Sequence, residues 1–144
     1  MPIKTDREIS DADVQSHHLL LIGRPDSNSL VKRLQSALPI GFGSRSFVID
    51  HHTYAHPGSA VIVAAENPST KRYSLVVFAG LSAESTLDTA TSLHGRSGSS
   101  AEVLVLPNKE RAKPLVLPVR ELVKELEQPT QLTSQKNGQS TGGR

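Results

Sequence analysis

The stretch HHLLLIGRPDSN, residues 17–28, decides the fold class of this chain. Its apolar run from Leu19 to Ile22 shows no alternation with polar residues, which is typical of a central parallel strand that is buried on both faces. Gly23 ends the run, and a segment rich in turn-forming residues leads to Ser27 and Asn28, either of which can be the N-cap of a helix. A strand, a loop and a helix in this order indicate an α/β domain.

The predicted helix covers residues 28–37, and Pro39 ends it. Its apolar stripe is formed by Leu30, Val31, Leu34 and Leu38. The same order of elements returns in YSLVVFAGLS, residues 73–82, where an apolar strand ends at Gly80 and Ser82 precedes a second helix over residues 83–93. We expect that helix to place Leu87, Ala90 and Leu93 on one side.

Shorter elements complete the pattern. A short helix or turn within residues 5–16 has Ser10 as N-cap and acidic residues in its first turn. After a linker at Ile40–Gly43, residues 46–55 form a small edge hairpin, and residues 60–65 form an antiparallel pair with the strand at 73–79 through the turn at Asn67-Pro68. Further strands are predicted at 101–106 and 114–117, and an amphipathic helix at 119–127.

These elements predict an α/β fold in which helices sandwich a small mixed β-sheet, a flavodoxin- or Rossmann-like fragment with edge hairpins. The chain divides into an N-terminal lead-in at residues 1–16, an α/β domain at residues 17–127 and a polar tail at residues 128–144. The tail reads QPTQLTSQKNGQSTGGR and offers almost nothing to bury, so we expect it to be disordered.

Charge argues against a nucleic-acid partner. The chain has 144 residues with 16 Lys and Arg, 14 Asp and Glu, and a formal net charge of +2. The tail contains Lys136 and Arg144 and no acid, so residues 1–127 have 14 charges of each sign. With aromatic residues at 3% there is also no stacking platform for bases.

Three other classes are disfavoured by composition. The chain contains no cysteine, which excludes disulfide scaffolds and thiol catalysis. It has no apolar run of about 18 residues, so no membrane partner is expected. The first eight residues lack the apolar core of a signal peptide, and nothing in the sequence fixes the compartment.

Two loops are candidate ligand sites, because each joins the end of a strand to the start of a helix. Backbone N–H groups and the helix dipole favour an anion at such a position. If the two strands are parallel neighbours, both loops lie at one edge of the sheet. The alternative is that each loop only caps its own helix. The candidate residues are Gly23, Arg24, Asp26, Ser27, Asn28, Gly80 and Ser82.

Histidines and serines offer weaker candidates. His52 and His56 could share one face of a strand and bind a metal, but exposed turn histidines are the more common interpretation, so no metal or other cofactor is expected. Serines lie among glycines at residues 41–45 and 95–99. Neither loop has the G-x-S-x-G order between a strand and a helix that a nucleophile elbow needs, so no catalytic residue is assigned.

Three strings carry a resemblance to a known group of proteins. They are HHLLLIGRPDSNSLVKRLQSALPIGFG, FVIDHHTYAHPGSAVIVAAENP and YSLVVFAGLSAEST. Together they resemble an accessory α/β segment at the C-terminal end of bacterial prolyl-oligopeptidase-like esterases and peptidases, which belong to the α/β-hydrolase group. The matching motifs are Leu21-Ile22-Gly23, Pro25, Ser27-Asn28, Asn67-Pro68 and Val77 to Gly80.

The resemblance implies a domain that packs beside a hydrolase, whose catalytic serine, aspartate and histidine would lie in a preceding domain. It also suggests a bacterial host that exports the hydrolase. Two functions are therefore expected. The first is a non-catalytic accessory or interaction domain of a bacterial serine hydrolase. The second is a small α/β protein or enzyme that binds an anionic small molecule at the Gly23 and Gly80 loops.

Overall fold

Three α-helices, two short 3-10 helices (Gln35–Ala37 and Pro107–Lys109) and eight strands are present in the computed structural model, which describes residues 3–92, 102–109 and 113–117. The α-helices are α1 (Asp11–Ser16), α2 (Ser29–Leu34) and α3 (Ala83–Ser92). The strands are β1 (Leu19–Ile22), β2 (Gly41–Phe42), β3 (Phe47–Ile49), β4 (His52–Tyr54), β5 (Ala60–Glu66), β6 (Ser74–Gly80), β7 (Val103–Leu106) and β8 (Lys113–Leu115). The predicted C-terminal helix and polar tail, and the serine loop at 95–99, lie outside the described residues.

Five strands form a mixed sheet in the order β1-β6-β5-β7-β8. β1 and β6 are parallel, whereas the other three neighbouring pairs are antiparallel. β5 and β6 pair from Ala60↔Gly80 to Glu66↔Ser74, as expected for strands joined by a short turn. The α/β class and the mixed sheet are thus confirmed.

A second, three-stranded sheet has the order β2-β3-β4. The predicted hairpin is present as β3 and β4, and its turn residues Asp50 and His51 have φ values of 44° and 66°, as a tight hairpin turn requires. The hairpin does not lie at the edge of the main sheet. Its strand β3 pairs instead with β2, which lies in the stretch predicted to be a linker. The linker prediction and the predicted edge position of the hairpin were therefore both wrong.

The main core lies on one side of the five-stranded sheet, here called the core face. Alternate residues of four strands point to this side, among them Leu21, Val63, Val77 and Val103. The apolar stripe of α2 packs against them, as predicted, and Val14 of α1 and Phe47 of β3 belong to the same cluster. The opposite side, here called the second face, carries Ile62, Phe78 and Leu104.

Helix α3 contacts β5 and β6, but with a different side from the predicted one. Leu87 is 69% exposed, and the buried residues of the helix are Ser85 and Thr89. Their hydroxyl groups donate to the carbonyl oxygens of Ser82 and Thr86 at 3.1 and 2.5 Å. Because these hydroxyls are satisfied within the helix, a polar side of α3 packs on the sheet and the apolar side faces outward.

Strand β1 is also placed differently from the prediction. It is a parallel strand, as expected, and its neighbour is β6, but it lies at the edge of the sheet and not at its centre. Leu19 and Leu21 are buried on the core face, whereas Leu20 and Ile22 on the second face are 46% and 62% exposed. An unbroken apolar run therefore marks a strand with one buried and one exposed apolar side.

Candidate functional site

The two strand-end loops, Gly23–Asn28 and Gly80–Ser82, lie at the same end of neighbouring parallel strands. Ile22 is paired with Phe78, and the N–H of Gly23 donates to the carbonyl oxygen of Phe78 at 2.8 Å. The structure therefore brings together the two loops that the sequence singled out. Whether they form a site depends on what their backbone groups already bind.

In the first loop, the helix N-terminus is occupied by the chain itself. Asn28 Oδ1 accepts the N–H groups of Leu30 and Val31, both at 3.0 Å, and the amide of the same side chain donates to the carbonyl oxygen of Ile22. The carboxylate of Asp6 accepts the N–H of Ser29 at 2.8 Å. The protein thus supplies both the cap and the negative charge that α2 favours at this position.

Gly23 is needed for the shape of this loop. Its φ of 107° lies in the region that side chains rarely adopt, and a Cβ there would lie 2.8 Å from the hydroxyl of Ser27. That hydroxyl accepts the N–H of Arg24 and donates to the carbonyl oxygen of the same residue. Ser27 therefore closes the turn.

The second loop also caps its own helix. The hydroxyl of Ser82 accepts the N–H of Ser85 at 3.1 Å, and Thr86 donates its hydroxyl to the carbonyl oxygen of Ser82. The N–H of Gly80 donates to the hydroxyl of Thr86 at 3.0 Å. The N–H groups of Gly80, Ser82 and Ser85 are thus already satisfied by hydroxyl groups of the chain itself.

Arg24 is the one candidate site residue with a buried polar atom that lacks a hydrogen-bond partner among the described residues. The residue is 9% exposed, and its Nη2 donates to the carbonyl oxygens of Gly43 and Ser44 at 2.5 and 3.1 Å. Asp26, mostly exposed, lies 3.7 Å from Nη1. The Nε atom is buried and has no hydrogen-bond partner within the described ranges. Arg24 therefore ties the β1 loop to the β2–β3 connection and keeps one unused donor.

The histidines do not assemble into a ligand set. His52 Nδ1 lies 3.0 Å from the carbonyl oxygen of Asp50, and His56 Nδ1 accepts the N–H of Gly58. Across the described ranges, no group of three or more His, Cys, Asp or Glu side chains is arranged to hold a metal ion. Of the serine loops, residues 41 and 42 form β2, and Ser44 contributes a carbonyl oxygen to Arg24.

Two serine–histidine contacts resemble parts of a catalytic pair. Ser74 Oγ lies 2.9 Å from His18 Nδ1, and Ser16 Oγ lies 2.8 Å from His17 Nδ1. In the first, Nδ1 already accepts the backbone N–H of Ser74, and in the second it lies 3.2 Å from a backbone carbonyl oxygen. Neither ring has a described carboxylate as a third partner, so neither contact has the arrangement of a triad.

A groove that sequence reasoning missed runs along the outer side of β1. It has a volume of about 520 Å³, and every residue of β1 lines it. Its other wall is the lead-in segment, residues 3–16, which contributes Lys4, Asp6 and Ile9. No motif could have revealed this groove, because it depends on β1 being an edge strand.

The charged groups of the groove wall are held in place by hydrogen bonds. The amine of Lys4 lies 2.8 Å from the carboxylate of Asp13, and hydrogen bonds from Lys4 and Ser10 hold the pKa of Asp13 well below its usual range. The backbone N–H of Ser29 lowers the pKa of Asp6. The charged residues that line the groove are Lys4, Asp6 and Asp13. Because Lys4 and Asp13 form an ion pair, the lining has one net negative charge, that of Asp6.

Comparisons with known proteins assign no family to the chain. It matches no protein-family description, no curated protein and no solved structure. Within the described part of the chain, no helix is long and apolar enough to cross a membrane. The functional argument therefore depends on the geometry of the loops and of the β1 groove.

Proposed function

We propose that this chain is a non-catalytic accessory domain that docks on a partner enzyme, a bacterial serine hydrolase of the esterase or peptidase type. The observation that carries the proposal is the outer side of β1. There Leu20 and Ile22 lie side by side on an edge strand, 46% and 62% exposed, next to an open groove. Adjacent exposed apolar side chains along an open groove are typical of an interaction surface.

The loops support this proposal indirectly. Both helix N-termini at the expected ligand edge are capped by the chain's own side chains, and neither serine–histidine contact forms a triad. The hydrolase as partner follows from the sequence resemblance over residues 17–90, which places catalytic groups in another domain. The proposed role is therefore binding and positioning, with the chemistry performed by the partner.

Photo-crosslinking tests this proposal. Benzoylphenylalanine replaces Ile22 in the chain expressed in its own host cells, and Thr53, an exposed residue of β4, is replaced in the same way as a control. Crosslinked products are then treated with a fluorophosphonate probe, which labels the active serine of serine hydrolases. We expect a labelled product from position 22 and none from position 53.

Two results would contradict the proposal. Labelling of the isolated chain by the probe would show that it is itself a serine hydrolase. A crosslinked product from position 22 that carries no label would assign the surface to a partner of another class.

A second candidate function is the binding of an anionic small molecule at the two strand-end loops. It is favoured by their position at one end of the parallel pair and by the buried Nε of Arg24, which has no acceptor in the part of the chain that the structure describes. The test is a thermal-shift titration with inorganic phosphate, comparing the wild-type chain with Arg24→Lys and Ser82→Ala. A rise in Tm that both variants weaken would support this function, and an unchanged wild-type Tm would eliminate phosphate-like ligands.

A further inference from the structure

The outer edge of β1 has free backbone groups. Because the N–H of Gly23 donates to β6, and because the direction of backbone groups alternates along a strand, Leu19 and Leu21 face β6 and Leu20 and Ile22 face outward. The outward carbonyl oxygen of Ile22 accepts the amide of Asn28. The N–H and carbonyl groups of Leu20 and the N–H of Ile22 have no partner among the described residues.

The opposite edge of the same sheet is protected. β8 contains Pro114, which is paired with Leu104. The carbonyl oxygen of Glu102 accepts the N–H of Ala64, so even-numbered residues of β7 face β5 and the Leu104–Pro114 pair is not hydrogen-bonded. The nitrogen of Pro114 therefore points away from the sheet and has no hydrogen to donate. Lysine and proline are the residues with which proteins block an edge, and β1 contains neither.

We propose that β1 accepts an added strand, supplied by an extended segment of the partner protein. This inference deepens the proposed function, because it states how the accessory domain binds. Main-chain hydrogen bonds to Leu20 and Ile22 would provide affinity, and alternate side chains of the added segment would lie beside the side chains of these two residues on the second face. Alternate positions of the segment are therefore apolar.

The charge of the groove defines the remaining positions of the segment. Side chains that point away from the second face approach the lead-in wall, where Asp6 carries the unneutralised negative charge. Lys or Arg at these positions complements that charge. The expected occupant is thus an extended segment in which apolar and basic residues alternate.

A second copy of this chain fits the groove less well. Antiparallel pairing of two β1 strands about a two-fold axis at Leu20 would bring both lead-in walls to the same interface. Lys4, Asp6 and Asp13 give each groove lining one net negative charge, so two walls of like charge would face each other. Like charges across an interface disfavour that pairing.

The test measures hydrogen exchange of the Leu20 and Ile22 amides in the full chain by NMR. The probe is the peptide acetyl-KVKVKV-amide, and the controls are acetyl-EVEVEV-amide and acetyl-KVKPKV-amide, which reverse the charge and interrupt the strand. At a peptide concentration ten times its Kd, we expect exchange at both amides to slow about tenfold. The two control peptides should bind more weakly and give less protection.

Two substitutions make the result specific. Asp6→Asn keeps an acceptor for Ser29 and should weaken binding of the basic peptide about two- to fivefold, as for an exposed ion pair. Ile22→Lys should abolish binding, and Thr53→Lys on the other sheet should leave it unchanged. Equal binding of the acidic and basic peptides would overturn the charge argument.

Other outcomes separate this inference from the proposed function. If position 22 crosslinks to a labelled hydrolase but no peptide protects the amides, the partner docks on side chains alone and strand addition is wrong. If the peptide protects the amides but the crosslinked product carries no label, the mode of binding stands and the hydrolase partner is wrong. A dimer in sedimentation velocity that Ile22→Lys dissociates would identify a second copy as the occupant and overturn the inference.

Discussion

The side-chain amide of Asn67 donates a hydrogen bond of 2.6 Å to the backbone carbonyl oxygen of Val14. Both residues are buried, and they are 53 positions apart in the chain. The bond ties the end of α1 to the turn between β5 and β6. Asn67 Oδ1 also accepts the N–H of Ser69, so this one side chain fixes the turn and anchors the lead-in segment.

Asn67→Ala should lower the free energy of unfolding by about 1–3 kcal/mol, because it leaves the buried carbonyl group of Val14 without a donor. Ser69→Ala is the matched control, since Ser69 is exposed in the same turn and should change stability by less than about 0.5 kcal/mol. Urea denaturation followed by circular dichroism measures both. Equal effects of the two variants would show that the contact with Val14 contributes little.

Gly80 lies where α3 packs most closely on the sheet. A Cβ at this position would overlap the backbone nitrogen of Thr86 and the hydroxyl of Ser85, whereas a Cβ at Gly41 would meet no atom within 4 Å. Gly80→Ala should therefore destabilise the protein by about 1–3 kcal/mol through overpacking. Gly41→Ala should be close to neutral. The midpoint of thermal unfolding checks both, and an unchanged Tm for Gly80→Ala would show that α3 is free to shift.

Adjacent residues of β1 should respond differently to the same truncation. Leu21 is buried on the core face, so Leu21→Ala should cost about 2–5 kcal/mol. Ile22 is mostly exposed, and Ile22→Ala should cost less than about 1 kcal/mol. Denaturant unfolding of the two variants tests the position of β1 directly. Similar costs would mean that the second face of β1 is covered.

Acid should destabilise the protein in part through Asp13. Its pKa is lowered in the folded state, so its contribution to stability is present above the unfolded pKa of about 3.9 and is lost as the pH falls below that value. Asp13→Asn should make the decrease in unfolding free energy between about pH 5 and pH 2 less steep. A pH series of urea titrations measures the slope, with Glu66→Gln, an exposed residue at the end of β5, as the control.

Local signals along the sequence predicted much of the fold. Ser10 is the N-cap of α1, as predicted, and Asn28, one of the two candidate residues, caps α2. The β5–β6 pair follows from two apolar runs on either side of a short turn. In each case the deciding interactions join residues that are close in the chain, so a single sequence is enough to predict them.

Long-range placement was harder to predict. The run at Leu19–Ile22 shows that β1 is apolar, but it does not show whether β1 has one neighbouring strand or two. Because β6 pairs with β5 on its other side, β1 lies at the edge of the sheet. The side of α3 that packs on the sheet depends on Gly80 and on hydroxyl groups that bond within the helix. Apolar periodicity contains neither kind of information, so the side on which Leu87 lies and the β1 groove were both missed.

The proline of β8 also limits how far such a sheet can grow. A fibre needs two complementary edges, so that each molecule that adds through one edge offers the other to the next. Here two copies joined through their β1 strands would leave outermost only the β8 edges, which contain Pro114. Strand pairing at β1 is therefore a terminating event, and an apolar, unprotected edge is compatible with a protein that does not polymerise.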